Sequence, residues 1–171
     1  ARITNHHTNL VYLEQDGKVL RELPVVDAAE ERMTDKSCLN VEDILRFADT
    51  VPLEKVEDVL LRQIEMNSAI AEEGLRGAWG AQIGRILMED YGGDLKQQAK
   101  AYAAAGSDAR MSGCELPVVI LSGSGNQGIT ASVPVVTYAK QIGATKEQLC
   151  RVLIVSDLVT VLQKNGIGRL S

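Results

Sequence analysis

Leu53-Glu-Lys-Val-Glu-Asp-Val-Leu-Leu-Arg-Gln-Ile-Glu-Met-Asn-Ser-Ala-Ile-Ala-Glu-Glu-Gly74 decides what kind of fold this chain can make. Leu53, Val56, Val59, Leu60, Ile64, Asn67 and Ile70 recur at steps of three and four, which lines up one face of an α-helix about five turns long. Pro52 suits the first turn, where no intrahelical donor is needed, and Gly74 offers a left-handed end. Asn67 interrupts the stripe with an amide. Such a group either bonds a neighbouring backbone segment in the core or belongs to a site.

Upstream of this stripe, Asn40 is a good N-cap for a short helix whose inner face is Val41, Ile44, Leu45 and Ala48, ending before Val51-Pro52. Before residue 40 the apolar period drops to two. Leu10 to Leu13 and Lys18 to Leu23 flank Asp16-Gly17, the signal of a type I′ hairpin. A lone hairpin is marginal in water, so it is expected to belong to a neighbouring sheet.

Downstream, Gly77, Gly80 and Gly84 are spaced as one helical face without side chains, which suggests a close helix crossing or a nearby ligand. Gly92-Gly93 ends that segment, and Leu95 to Ala105 reads as an Ala-rich helix closed by Gly106. Ser107 to Cys114, polar and Gly-punctuated, reads as a loop. Thr145-Lys-Glu-Gln148 is a capping box opening a long helix. Its apolar residues, from Leu149 to Leu162, cover almost the whole circumference, which predicts a central helix with Cys150 as a core thiol, ending at Asn165-Gly166. The fold class expected is mainly α: a helical domain over 38–171 with a short N-terminal β-hairpin over 1–25. The start at Ala1 and the stop soon after Gly166 further suggest a fragment of a larger α+β enzyme.

Composition narrows the function. The 171 residues carry 18 Lys plus Arg against 23 Asp plus Glu, a net charge of −5, with no basic run to neutralise a phosphate backbone. No nucleic-acid or membrane partner is expected. The longest apolar stretches, such as Pro117 to Leu121, fall far short of the roughly 20 residues that cross a bilayer. Cys38, Cys114 and Cys150 are odd in number and widely spaced, as suits reduced thiols in the cytoplasm. Aromatics make up 4%, so the core must come from Leu, Ile, Val and Ala.

Ser122-Gly123-Ser124-Gly125-Asn126-Gln127-Gly128 is the most informative stretch for function, placed between the run Leu116 to Leu121 and the helical pattern Ile129 to Ile142. Glycines let successive N–H groups point inward, and a helix N-terminus adds about half a positive charge. The stretch is therefore a candidate site for a small anion, with Ser122, Ser124, Asn126 and Gln127 adding side-chain bonds to a carboxylate or phosphate. Gly123-x-Gly125-x-x-Gly128 also satisfies the dinucleotide-binding expression, with Glu147 about 20 residues on. Glu147, however, sits in a capping box rather than at the end of a second parallel strand. Pro134 is expected to bend the helix that follows or to mark its true start.

Several runs carry a resemblance to a known family: Ser107 to Gly113, Leu116-Pro-Val, Ser122 to Thr130, and Gln163-Lys-Asn-Gly-Ile-Gly-Arg-Leu-Ser171, with His6-His-Thr-Asn-Leu-Val and Glu65 to Gly74. Together they resemble the central part of the serine dehydratase alpha-chain-like family, in particular its L-cysteine desulfidase branch. That resemblance implies a 4Fe-4S lyase that removes the β-substituent and then the amine from L-cysteine or L-serine, forming pyruvate and ammonia plus sulfide or water.

It also implies that the cluster cysteines lie upstream and downstream of this stretch. The stretch itself is then expected to bind no metal and to be inactive alone, its partners being a small amino-acid substrate, the remainder of the parent chain and a second copy. Within this chain the turn at 122–128 becomes the substrate-binding element, and Cys114 either a cluster ligand or a structural or substrate-proximal thiol. His7 is a candidate general base and Arg110 a candidate partner of the substrate carboxylate, with a surface histidine and an Arg110–Asp108 or helix-end pairing as the alternatives. Lys164, near the end of its helix, suits the C-terminal dipole. A different class remains open, an amino-acid or small-anion binding or regulatory domain without catalysis.

Overall fold

A computed structural model describes residues 1–4, 9–25 and 35–167. They divide into two units, Ala1–Asp35 and Lys36–Ser171. In the first, strands β1 (Arg2–Ile3), β2 (Leu10–Gln15) and β3 (Lys18–Glu22) form an antiparallel sheet in that order. Asp16 and Gly17 both take positive φ, 52° and 79°, as a type I′ turn requires, and Gln15 pairs with Lys18 across it. The hairpin thus forms where Asp-Gly places it. β1, two residues long, is too short to show an alternating pattern and adds a third strand.

The second unit holds helices α1 (Val41–Thr50), α2 (Glu57–Arg76), α3 (Ile83–Tyr91), α4 (Leu95–Met111), α5 (Gly125–Ile142) and α6 (Lys146–Ile167). Asn40 caps α1, its Oδ1 accepting from the Asp43 N–H at 2.9 Å. A single 3₁₀ turn, Leu53–Lys55, follows Pro52 before α2 begins. The capping box of α6 closes in both directions: the Gln148 N–H donates to Thr145 Oγ1 at 3.2 Å, and the Thr145 N–H to Gln148 Oε1 at 2.9 Å.

Of the face expected for α1 only Ile44 and Ala48 are buried, Val41 and Leu45 being exposed, and packing revises five further sequence expectations. The inner face of α2 runs through Leu60, Gln63, Asn67, Ile70 and Gly74, leaving Val59 60% exposed. Gly74 is no cap; it lies inside α2, where a Cβ would run into the Ala105 carbonyl of α4. Gly84 meets α4 in the same way at Ala101 and Ala105, but Gly77 and Gly80 fall in the connection between α2 and α3 rather than on a helix. Gly106 does not close α4. It rests on Ala71 and Ile129, and the helix continues through the supposed loop to Met111, with Gly113 (φ 89°) supplying the left-handed exit. The Ala and Gly residues of α4 are therefore contact points that let α2, α3 and α5 approach closely.

The fifth revision concerns α6. The core has two clusters, one built on Ala48, Leu60, Val136, Cys150 and Leu153, the other on Ile70, Ala71, Ala109, Ile129 and Val133. Only α2 and α5 contribute to both, so they are the central helices, while α6 packs on one side and runs on through Gly166. Val152 is 52% exposed and borders an apolar groove of about 730 Å³ with Pro134, Tyr138, Ile142 and Leu149. α5 is continuous from Gly125, with Pro134 inside it. No helix among the described residues is long and apolar enough to cross a membrane.

Candidate functional site

Asn67 builds the approach to the Gly-rich turn. Fully buried, it takes the Val119 N–H on Oδ1 at 2.8 Å and donates from Nδ2 to the Val119 carbonyl at 3.2 Å and to Ser132 Oγ at 2.9 Å. The segment 114–120 has no strand partner among the described residues, and this amide stands in for one. Of the two roles open to Asn67, the structural one is observed. Ser132 Oγ in turn donates to the Gly128 carbonyl at 2.7 Å, which ties the same network to the first turn of α5.

Each glycine of the turn answers a different need. Ser122 and Gly123 both have positive φ, 51° and 87°, and the backbones of Leu121 and Ser124 bond each other across them at 3.0 Å. A Cβ on Gly125 would collide with the Arg110 guanidinium, and one on Gly128 with the Val119 carbonyl. Ser124 caps α5, its Oγ accepting from the Gln127 N–H at 3.4 Å, and its carbonyl accepts from the Gly128 N–H. The amides of Leu121, Ser124, Gln127 and Gly128 are thus engaged within the turn, whereas those of Gly125 and Asn126, the first two of α5, have no intrahelical partner, as at any helix start.

Arg110 arrives from the last turn of α4. Its Nη1 donates to Asn126 Oδ1 at 3.1 Å and lies 3.4 Å from Met111 Sδ. Asp108, the alternative partner weighed from the sequence, is used elsewhere: its Oδ2 accepts the Ile83 N–H at 2.9 Å and caps α3. A guanidinium beside the N-terminus of α5 concentrates positive charge on one face of the turn, the setting in which a carboxylate binds. The structure therefore brings together Arg110 with Ser122, Gly123, Ser124, Gly125, Asn126, Gln127 and Gly128. His7 lies outside the described residues.

The three cysteines do not converge. Cys38 is exposed before α1, Cys114 is half-buried against the second core cluster, and Cys150 is buried in the first. Among the described residues there is no group of three His, Cys, Asp or Glu able to hold a metal ion, and these residues do not fit an iron–sulfur cluster. Burial pushes the Cys150 thiol up, as does the nearby Glu57 carboxylate, although Lys146 opposes them.

Sequence reasoning missed a second polar group in the core. Gln63, 2% exposed, donates from Nε2 to Asp157 Oδ1 at 3.0 Å, and burial pushes the Asp157 carboxyl above its ordinary range while this bond pulls it back in part. The available signal was Asp157 among the apolar residues Leu153, Ile154, Val155 and Leu158 of α6, and Gln63 one turn before Asn67 on α2. Lys164 is the cation of the last turn of α6. It is 9% exposed, and its Nζ has no hydrogen-bond partner among the described residues.

The sequence model of the serine dehydratase alpha chain family matches residues 14–171. A UPF0597 protein of Desulfitobacterium hafniense is 52% identical over 99% of this chain and 40% of its own length. UPF0597 proteins of Lachnoclostridium phytofermentans and Treponema denticola are 49% and 45% identical, each over all of this chain and 41% of the relative. The chain thus spans about 40% of the length of the relatives it matches. No solved structure matches it.

Proposed function

Because this chain belongs to the serine dehydratase alpha chain family, we propose that it supplies the substrate-carboxylate site of a cytoplasmic amino-acid lyase. The lyase is of the L-cysteine desulfidase or L-serine dehydratase type. The observation that carries this reading is Arg110, bonded to Asn126 and pressed against Gly125 at the N-terminus of α5. Loss of the α-proton and of the β-substituent, sulfide or water, leaves an enamine. Its imine tautomer takes up water to give pyruvate and ammonia. An iron–sulfur cluster, were the longer protein to carry one, would supply Lewis acidity and would need ligands from outside the described residues. The residues described here bind and orient: the Arg110 guanidinium and the amides of Gly125 and Asn126 take the carboxylate, and Ser122 and Ser124 border it. His7 stands as the proposed base.

The test is pyruvate release from L-cysteine and L-serine by the full-length protein, prepared anaerobically, beside its Asn126→Ala and Arg110→Ala variants. Pyruvate from the unaltered protein, with kcat/KM lowered about 100-fold or more in Arg110→Ala, is the expected result. No pyruvate from either amino acid with the cluster assembled would overturn the lyase reading, and the turn would then serve an amino-acid binding or regulatory role.

A further inference from the structure

Three side-chain atoms are shut away from solvent with no hydrogen-bond partner among the described residues: Gln63 Oε1, on the amide whose Nε2 bonds Asp157, Gln127 Oε1 in the Gly-rich turn, and Lys164 Nζ in the last turn of α6. Leaving a buried acceptor unpaired costs about 1–3 kcal/mol, and a buried ammonium costs more. Lys164 lies in the last turn of α6, where a cation suits the helix dipole, but its Nζ bonds no carbonyl there. Asp157, two turns back on the same face of α6, is bonded to Gln63 Nε2 at 3.0 Å.

Gln127 Oε1 and Lys164 Nζ belong to one end of the α5–α6 hairpin. α5 and α6 are joined by the short connection 143–145 and run antiparallel, with their register set by Ser156 Oγ donating to the Ala131 carbonyl at 2.7 Å. From that contact, Gln127 lies four residues toward the start of α5, about 6 Å, and Lys164 eight residues toward the end of α6, about 12 Å in the same direction. Helical side chains lean toward the N-terminus of their own helix. Gln127 therefore leans on toward the level of Lys164, and Lys164 leans back toward the level of Gln127. Both reach the level of Gly125 and Asn126, where Arg110 is already seated.

We propose that Lys164 and Gln127 complete the site at the turn as a donor and an acceptor for a zwitterionic α-amino acid, Lys164 Nζ donating to its carboxylate and Gln127 Oε1 accepting from its ammonium. This rests on the carboxylate-site reading above and adds what that reading lacks, a group that recognises the amine. An anion alone would satisfy Lys164 and leave Gln127 unpaired; an α-amino acid satisfies both.

The test titrates the 171-residue chain by calorimetry with L-serine, with 3-hydroxypropionate, which lacks the ammonium, and with L-serinamide, which lacks the carboxylate. The expected order has L-serine tightest. Lys164→Met and Lys164→Gln weaken L-serine binding about tenfold or more, with helical circular dichroism retained. Gln127→Leu brings the L-serine and 3-hydroxypropionate affinities together, a change of ratio that a merely structural role would not produce. L-serine binding unchanged in both Lys164 variants and an unchanged ratio in Gln127→Leu would overturn this inference; weakened binding in Arg110→Ala would then leave the carboxylate site standing. Failure of the unaltered chain to bind L-serine would overturn it too, while pyruvate formation by the full-length protein decides the lyase reading separately.

Discussion

Asn67 shows how much of this site rests on one buried side chain. Its amide satisfies both backbone groups of Val119 and the Ser132 hydroxyl, so Asn67→Leu leaves a half-buried N–H and carbonyl and a buried hydroxyl without this partner. The expected loss is about 3 kcal/mol of stability, read as a lower urea midpoint. Asp157 carries the opposite sign. Burial raises its carboxyl in the folded chain, so the folded state holds the proton more tightly than the unfolded chain does. That contribution is present below the ordinary carboxylate pKa and is lost as pH rises through the raised folded value. Asp157→Asn is therefore expected to flatten the decline in thermal midpoint across that window and to match or exceed the parent midpoint at neutral pH. A steeper decline would show that the charged form is the one the fold prefers. Cys150, buried with a raised thiol, should be labelled by iodoacetamide only after unfolding, unlike exposed Cys38.

At the scale of elements, α4 is held by what its neighbours lack. Gly74 of α2 and Gly84 of α3 both lie against the α4 backbone near Ala105, and a single methyl at either position has no space. Gly74→Ala is expected to cost about 1–3 kcal/mol through displacement of α2 from α4, although alanine has the higher helix propensity. A stability gain on denaturant unfolding would show that the contact can relax. The same feature explains where sequence reasoning misplaced helix ends. Gly74 and Gly106 look like stop signals, yet both sit at helix crossings, while Gly113, with φ 89°, does the stopping. Local sequence cannot separate a glycine needed for its backbone angle from one needed for its missing side chain, because that difference lies in the neighbouring helix. The N-caps Asn40 and Thr145 were legible, since each makes its bonds within three residues of itself.

At the scale of the whole molecule, the exposed apolar edge matters most. Tyr138, Ile142 and Val152 are 47%, 59% and 52% exposed along the groove of about 730 Å³, beside Lys96 and Lys100. Clustered apolar surface of this kind drives association. The chain by itself is expected to self-associate at high concentration, and Ile142→Lys with Val152→Lys to reduce its mass by light scattering; a monomer at all concentrations would refute this. What the sequence determined alone was the hairpin at Asp16-Gly17, the helical class of the second unit, two N-caps, the buried Cys150 and the family, because each depends on residues close together in the chain or on a run of matching positions. Only the tertiary structure decided that α2 and α5 are central, that α4 runs to Met111, that Asn67 holds Val119, and that Arg110 joins the turn across 16 residues. These depend on which faces meet, and apolar burial fixes that by area and shape rather than by any local pattern.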